Sequence, residues 1–116
     1  MQSAVDLMHT ARRIVEQMLK VQHGEKATVV TDWERPYTIT MALGSCLRYA
    51  GAEVVVVSMT PRDHGGIDPP PAVVGAILAS QVVIMQTSFA TIHTQTIRQA
   101  LDRGVGSVSF GALRRI

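Results

Sequence analysis

Four short apolar runs limit what this chain can fold into: Ala27 to Thr31, Glu53 to Ser58, Gln81 to Gln86 and Gly106 to Phe110. The second and third have unbroken centres, Val54-Val55-Val56-Val57 and Val82-Val83-Ile84-Met85. A strand with one face in water would alternate apolar and polar residues. Continuous branched runs are instead the pattern of parallel strands covered on both faces.

Helical periodicity fills the spaces between these runs. Over residues 3–21, Ala4, Leu7, Met8, Ala11, Val15, Met18 and Leu19 fall on one face of a helix, and Asp6, Arg12, Arg13, Glu16 and Lys20 on the other. His23-Gly24-Glu25-Lys26 then supplies a stop and a turn. Pro36 suits the first turn of a second helix, which runs through Met41, Ala42 and Leu47 to a stop at Gly51. A third helix is predicted over residues 71–80, with Val73, Val74, Ile77 and Leu78 as its apolar residues. A fourth, over about 93–102, ends at Arg103-Gly104. The longest irregular stretch is TPRDHGGIDPPP, Thr60 to Pro71. Helix and strand thus alternate four times, which predicts an α/β fold. Right-handed crossovers give a doubly wound, Rossmann-like layout: a mostly parallel four-stranded sheet in the order 2-1-3-4, with helices on both faces.

The 116 residues make one domain with a single core. Hydrophobic residues are 47% and mean hydropathy is +0.19, apolar for so small a domain. That excess suggests a surface meant for another domain or for a second copy in a homo-oligomer. The net charge is +2 and the basic residues are scattered, with Arg114-Arg115 read as a solvated tail. No basic stripe with interleaved aromatics is present, so nucleic acid is not an expected partner. The single Cys46 cannot form an internal disulfide, which fits a reducing cytoplasm, and its plainer role is that of a small buried hydrophobe. No uninterrupted apolar run is long enough for a membrane span, and no signal-like start precedes the first helix.

Ligands of open α/β sheets bind beyond the carboxyl ends of the strands, where the strand order reverses. With the order 2-1-3-4, the loops after the first and third strands flank that point. They contribute Asp32, Trp33, Glu34 and Arg35, then Thr87, Ser88 and His93. Asp32, Arg35, Thr87, Ser88 and His93 are the crevice candidates for a small polar or anionic ligand. The plainer reading makes Asp32 and Ser88 helix caps and pairs Arg35 with a nearby carboxylate. The turn after the first strand lacks the glycines of a dinucleotide site, and no phosphate-binding glycine loop occurs. His64 with Asp63 and Asp68, or His93 alone, are the metal candidates, but no two histidines stand at helical ligand spacing and no metal site is expected. The surroundings of Ser88 do not form a nucleophile elbow, so no catalytic residue is assigned.

Several segments, taken in order, carry a family resemblance: ARRIVE, HGEKATVVTD, GAEVVVVSMTPR, PPPAV and QVVIMQTSFATIHTQTIRQALDRG. Together they resemble the amino-terminal domain of the thermophilic, aminopeptidase T-like metallo-aminopeptidases, and the related 2,5-dihydroxypyridine 5,6-dioxygenases share that architecture. The resemblance covers essentially the whole chain. His93 and Thr94 match the family's HT pair, with no role assigned to it. The resemblance implies a scaffolding and substrate-access domain of a longer enzyme, inactive alone. Its divalent metal would be bound by carboxylates and histidines of a C-terminal catalytic domain or partner chain. No cofactor or metal ligand is carried onto this chain. Peptide hydrolysis leads among the implied activities, with ring cleavage and a stand-alone ligand-binding or oligomerising module as alternatives.

Overall fold

A computed structural model describes residues 4–61, 69–87, 106–109 and 114–115. The elements run α1 (Ala4–Arg12), a π-helical segment (Arg13–Met18), β1 (Lys26–Asp32), α2 (Tyr37–Tyr49), β2 (Glu53–Met59), α3 (Pro71–Leu78), β3 (Val82–Gln86), β4 (Gly106–Ser109) and β5 (Arg114–Arg115). The expected fourth helix lies outside the described residues.

The sheet has the order β2-β1-β3-β4-β5. The first four strands pair in parallel and carry the expected order 2-1-3-4. The fifth is a correction. Arg114-Arg115, read from sequence as a tail, pairs antiparallel with β4, Ser109 opposite Arg114. Two arginines carry no apolar pattern, so nothing local marked them as a strand.

Alternation along the two central strands divides the core between two faces. Ala27 and Val29 of β1 and Val82 and Ile84 of β3 join Ala11, Ile14 and Val15 of the first helical segments and Leu43, Cys46 and Leu47 of α2. Val30, Val83 and Met85 turn the other way, onto Val73 and Ile77 of α3. Both faces are therefore covered by helices, as the unbroken apolar run of β3 requires. Between β1 and α3, Thr28 Oγ1 lies 2.6 Å from Ser80 Oγ, and the Ser80 hydroxyl donates to the Ala76 carbonyl at 2.7 Å. Thr28 is then the donor to Ser80, and the buried pair is satisfied.

The other valine run departs from expectation. β2 ends the sheet, and its Val55 and Val56 remain 47% and 39% exposed. A four-valine run shows that a strand can be buried on both faces, but not that anything covers it. The first helix also differs, since its last turns widen into the π form from Arg13. Pro36 sits just before α2 in an extended conformation (ψ 124°) rather than inside its first turn.

The turns into β1 and β2 meet at one corner, where the Gly24 N–H donates to the Gly51 carbonyl at 2.9 Å. Both glycines have left-handed φ, 85° and 94°. They differ in their surroundings. A Cβ at Gly24 would meet nothing within 4 Å, whereas one at Gly51 would lie 3.1 Å from the backbone Cα of His23 and closer still to its ring. Gly24→Ala is expected to cost about 1 kcal/mol, the strain of the conformation alone. Gly51→Ala should cost clearly more, because His23 must also move. Urea denaturation of the two variants compares them directly, and equal losses would contradict the crowding at Gly51.

Candidate functional site

The carboxyl ends of β1 and β3 lie side by side, with Thr31 opposite Gln86 in the parallel register. Buried polar side chains gather there: Thr31, Asp32, Thr40, Gln86 and Thr87 are all at most 6% exposed. Polar groups survive burial only when hydrogen-bonded, and this cluster is. The Thr40 hydroxyl of α2 donates to Gln86 Oε1 at 2.5 Å, and Gln86 Nε2 donates to the Pro36 carbonyl at 3.2 Å. Gln86 thereby ties the end of β3 to the start of α2 and holds the first loop against the third strand.

Asp32 shapes that loop from within. Its Oδ1 accepts the Glu34 N–H at 2.9 Å, and its carbonyl accepts the Arg35 N–H at 3.1 Å. The Trp33 N–H donates to the Met59 carbonyl of β2 at 3.2 Å, so the loop is also tied to the neighbouring strand. This corrects the capping expectation: Asp32 closes a tight turn two residues on, and α2 starts at Tyr37 after Pro36, with no side-chain cap. Among the described residues no carboxylate pairs with Arg35. Among the described residues the one ion pair joins Arg12 to Glu16, at 3.5 Å. With its backbone bound inward, the loop turns Trp33, Arg35 and Tyr37 outward, Trp33 being 71% and Tyr37 67% exposed.

Of the five crevice candidates, the structure thus brings Asp32 and Thr87 to the adjacent ends of β1 and β3, with Arg35 on the loop between β1 and α2. Ser88 and His93 lie outside the described residues, as do Asp63, His64 and Asp68. Sequence reasoning missed Gln86 and Thr40. The signal for Gln86 was available: an amide closing an apolar run that must be buried needs a partner.

No group of three or more His, Cys, Asp or Glu among the described residues could hold a metal ion. Cys46 lines a groove of about 310 Å3 between α1 and α2, together with Met8, Arg12, Glu16, Ser45 and Tyr49. Burial pushes its thiol pKa up, with Arg12 opposing and Glu16 adding, which disfavours the thiolate that a nucleophile needs. Among the described residues no helix is long and apolar enough to cross a membrane.

Order, register and two-sided helix cover define an open, doubly wound α/β unit with its polar cluster at the topological switch point. A solved structure with a similar fold is a 2,5-dihydroxypyridine dioxygenase from Pseudomonas putida KT2440, at TM-score 0.76 and 14% sequence identity. The likeness covers 94% of this chain and 35% of that one, so the chain spans about a third of that protein's length. At this identity the likeness concerns the fold. Comparison with protein-family models and with curated proteins finds no match.

Proposed function

We propose that this chain is the amino-terminal, substrate-access domain of an enzyme resembling the ring-cleaving dihydroxypyridine dioxygenases. One observation carries the reading: nearly the whole chain superimposes on a third of such an enzyme, as one unit of a larger catalyst would. Peptide hydrolysis, which led on the sequence resemblance, has no comparable support and gives way to ring cleavage.

The crevice chemistry suits the role. Trp33 and Tyr37 are exposed beside the switch point and offer aromatic faces to a planar heterocycle. Arg35, exposed on the same loop, offers a cation and hydrogen-bond donors to ring hydroxyls or their anions. The buried Thr40–Gln86 bond and the Asp32 turn hold that loop in place before a ligand arrives. Bond cleavage is assigned to groups beyond this chain, and a divalent metal to its catalytic partner domain.

Trp33 is the chain's single tryptophan, so its fluorescence reports on this loop alone. Titration with 2,5-dihydroxypyridine, corrected for ligand absorption, is expected to quench it saturably, and Arg35→Ala to weaken the binding about tenfold or more, the loss of one charge-assisted hydrogen bond. The same sample with oxygen and added divalent metal is expected to leave the ring intact. Ring cleavage by the chain alone would overturn the division of labour, and an unquenched Trp33 would overturn the access surface.

A further inference from the structure

Among the described residues no strand pairs with the outer side of β2, and that edge offers an interface that the proposed function does not use. β2 is the terminal strand, and the direction of its outward groups follows from two hydrogen bonds. The Glu53 N–H donates to Glu25 O at 2.8 Å, and Met59 O accepts the Trp33 N–H at 3.2 Å. In a strand, the N–H and C=O of one residue point to the same side, and successive residues alternate. Glu53, Val55, Val57 and Met59 therefore face β1. Val54, Val56 and Ser58 each present one N–H and one C=O to the open edge.

Natural edge strands are usually blunted by an internal lysine, a proline, a bulge or a covering loop. Glu53–Met59 contains no lysine or proline and pairs with β1 without a bulge over its whole length. Val55 and Val56, on opposite faces, are 47% and 39% exposed.

We infer that β2 pairs antiparallel with β2 of a second copy about a twofold axis at Val56, joining the two sheets into one. The strand suits a copy of itself because centring on Val56 sets Val56 opposite its own copy and Val55 opposite the partner's Val57, so the exposed valines meet valines. Centring on Val56 sets Val54 opposite the partner's Ser58 and engages all three outward residues of each strand. The strand's one charge is placed harmlessly. Each Glu53 lies opposite the partner's Met59, so the two carboxylates stand roughly 20 Å apart along the strand, beyond the screening length of about 8 Å. Seven residues are fewer than the 20–30 a side of a standard stable interface, so association depends on concentration.

Sedimentation of the 116-residue chain from micromolar to millimolar concentration tests this. The mass should rise toward twice the 12.6 kDa of one chain. Ser58→Pro removes an N–H that points outward, so the monomer loses no ladder bond, and the dimer dissociation constant should rise at least tenfold with the circular dichroism unchanged. Val56→Cys should form a reducible disulfide dimer under mild oxidation, whereas the parent chain, whose Cys46 is buried, should not. A chain that stays monomeric at every concentration overturns the inference. So does a dimer that is indifferent to Ser58→Pro and gives no disulfide in the Val56→Cys variant, which would place the contact on another face. If Ser58→Pro unfolds the chain, the Val56→Cys cross-link alone decides.

Discussion

Leu47→Ala should produce the largest loss of stability among single core truncations of α2. Leu47 is fully buried beneath α2, in the cluster that includes Val29 and Ile84, with Ile14 and Val15 facing it from the first helical segments. Removing its branched end takes away transfer free energy and leaves a cavity that four elements would have to close, a combined cost of about 2–5 kcal/mol. That is a large part of the total stability of a domain this size, and it should lower the melting temperature by at least roughly 8 °C. Tyr49, two residues on but 85% exposed, provides the control. Tyr49→Ala should stay within about 0.5 kcal/mol. Thermal unfolding of both variants separates a helix held by its buried face from one held by propensity, and comparable losses would contradict the packing.

Thr40→Val tests the buried tie at the switch point. The substitution keeps the shape and removes the hydroxyl, leaving Gln86 Oε1 without the donor it has at 2.5 Å. A buried acceptor deprived of its partner costs about 1–3 kcal/mol. Adding Gln86→Leu should recover much of that loss, because the amide that had become unsatisfied is then gone. Its other partner is not stranded: the Pro36 carbonyl also accepts the Ile39 N–H at 3.2 Å. A double variant less stable than the sum of the singles would contradict this account. If the tie also orders the access loop, Thr40→Val should weaken quenching of Trp33 by the pyridine more than its stability loss explains, since the protein remains folded during the titration.

The parts of this fold that were legible in the sequence are those set by burial. Val82 to Met85 could only be a central strand, and helix–strand alternation with right-handed crossovers leaves little choice of order. What was not legible depends on long-range partners. Val54 to Val57 reads like β3, yet β2 stands at the edge, because side-chain composition does not encode what lies beside a strand. Asp32 before a helix reads as a cap, but a proline at position 36 and a turn closed at Glu34 place the helix start further on. The candidate site was legible as a place, since the switch point follows from strand order. Its internal wiring was not. The Thr40–Gln86 bond spans 46 residues, and only the anomaly of an amide in a buried strand hinted at it.

The central claim is that this chain is one domain of a larger catalyst. Its most direct test is the mass of the native polypeptide in source cells, measured by immunoblot against the chain and by intact mass spectrometry. A species far heavier than 12.6 kDa, or this chain recovered in a stable complex with a catalytic partner, is expected. A free, unaccompanied species of 12.6 kDa would contradict it.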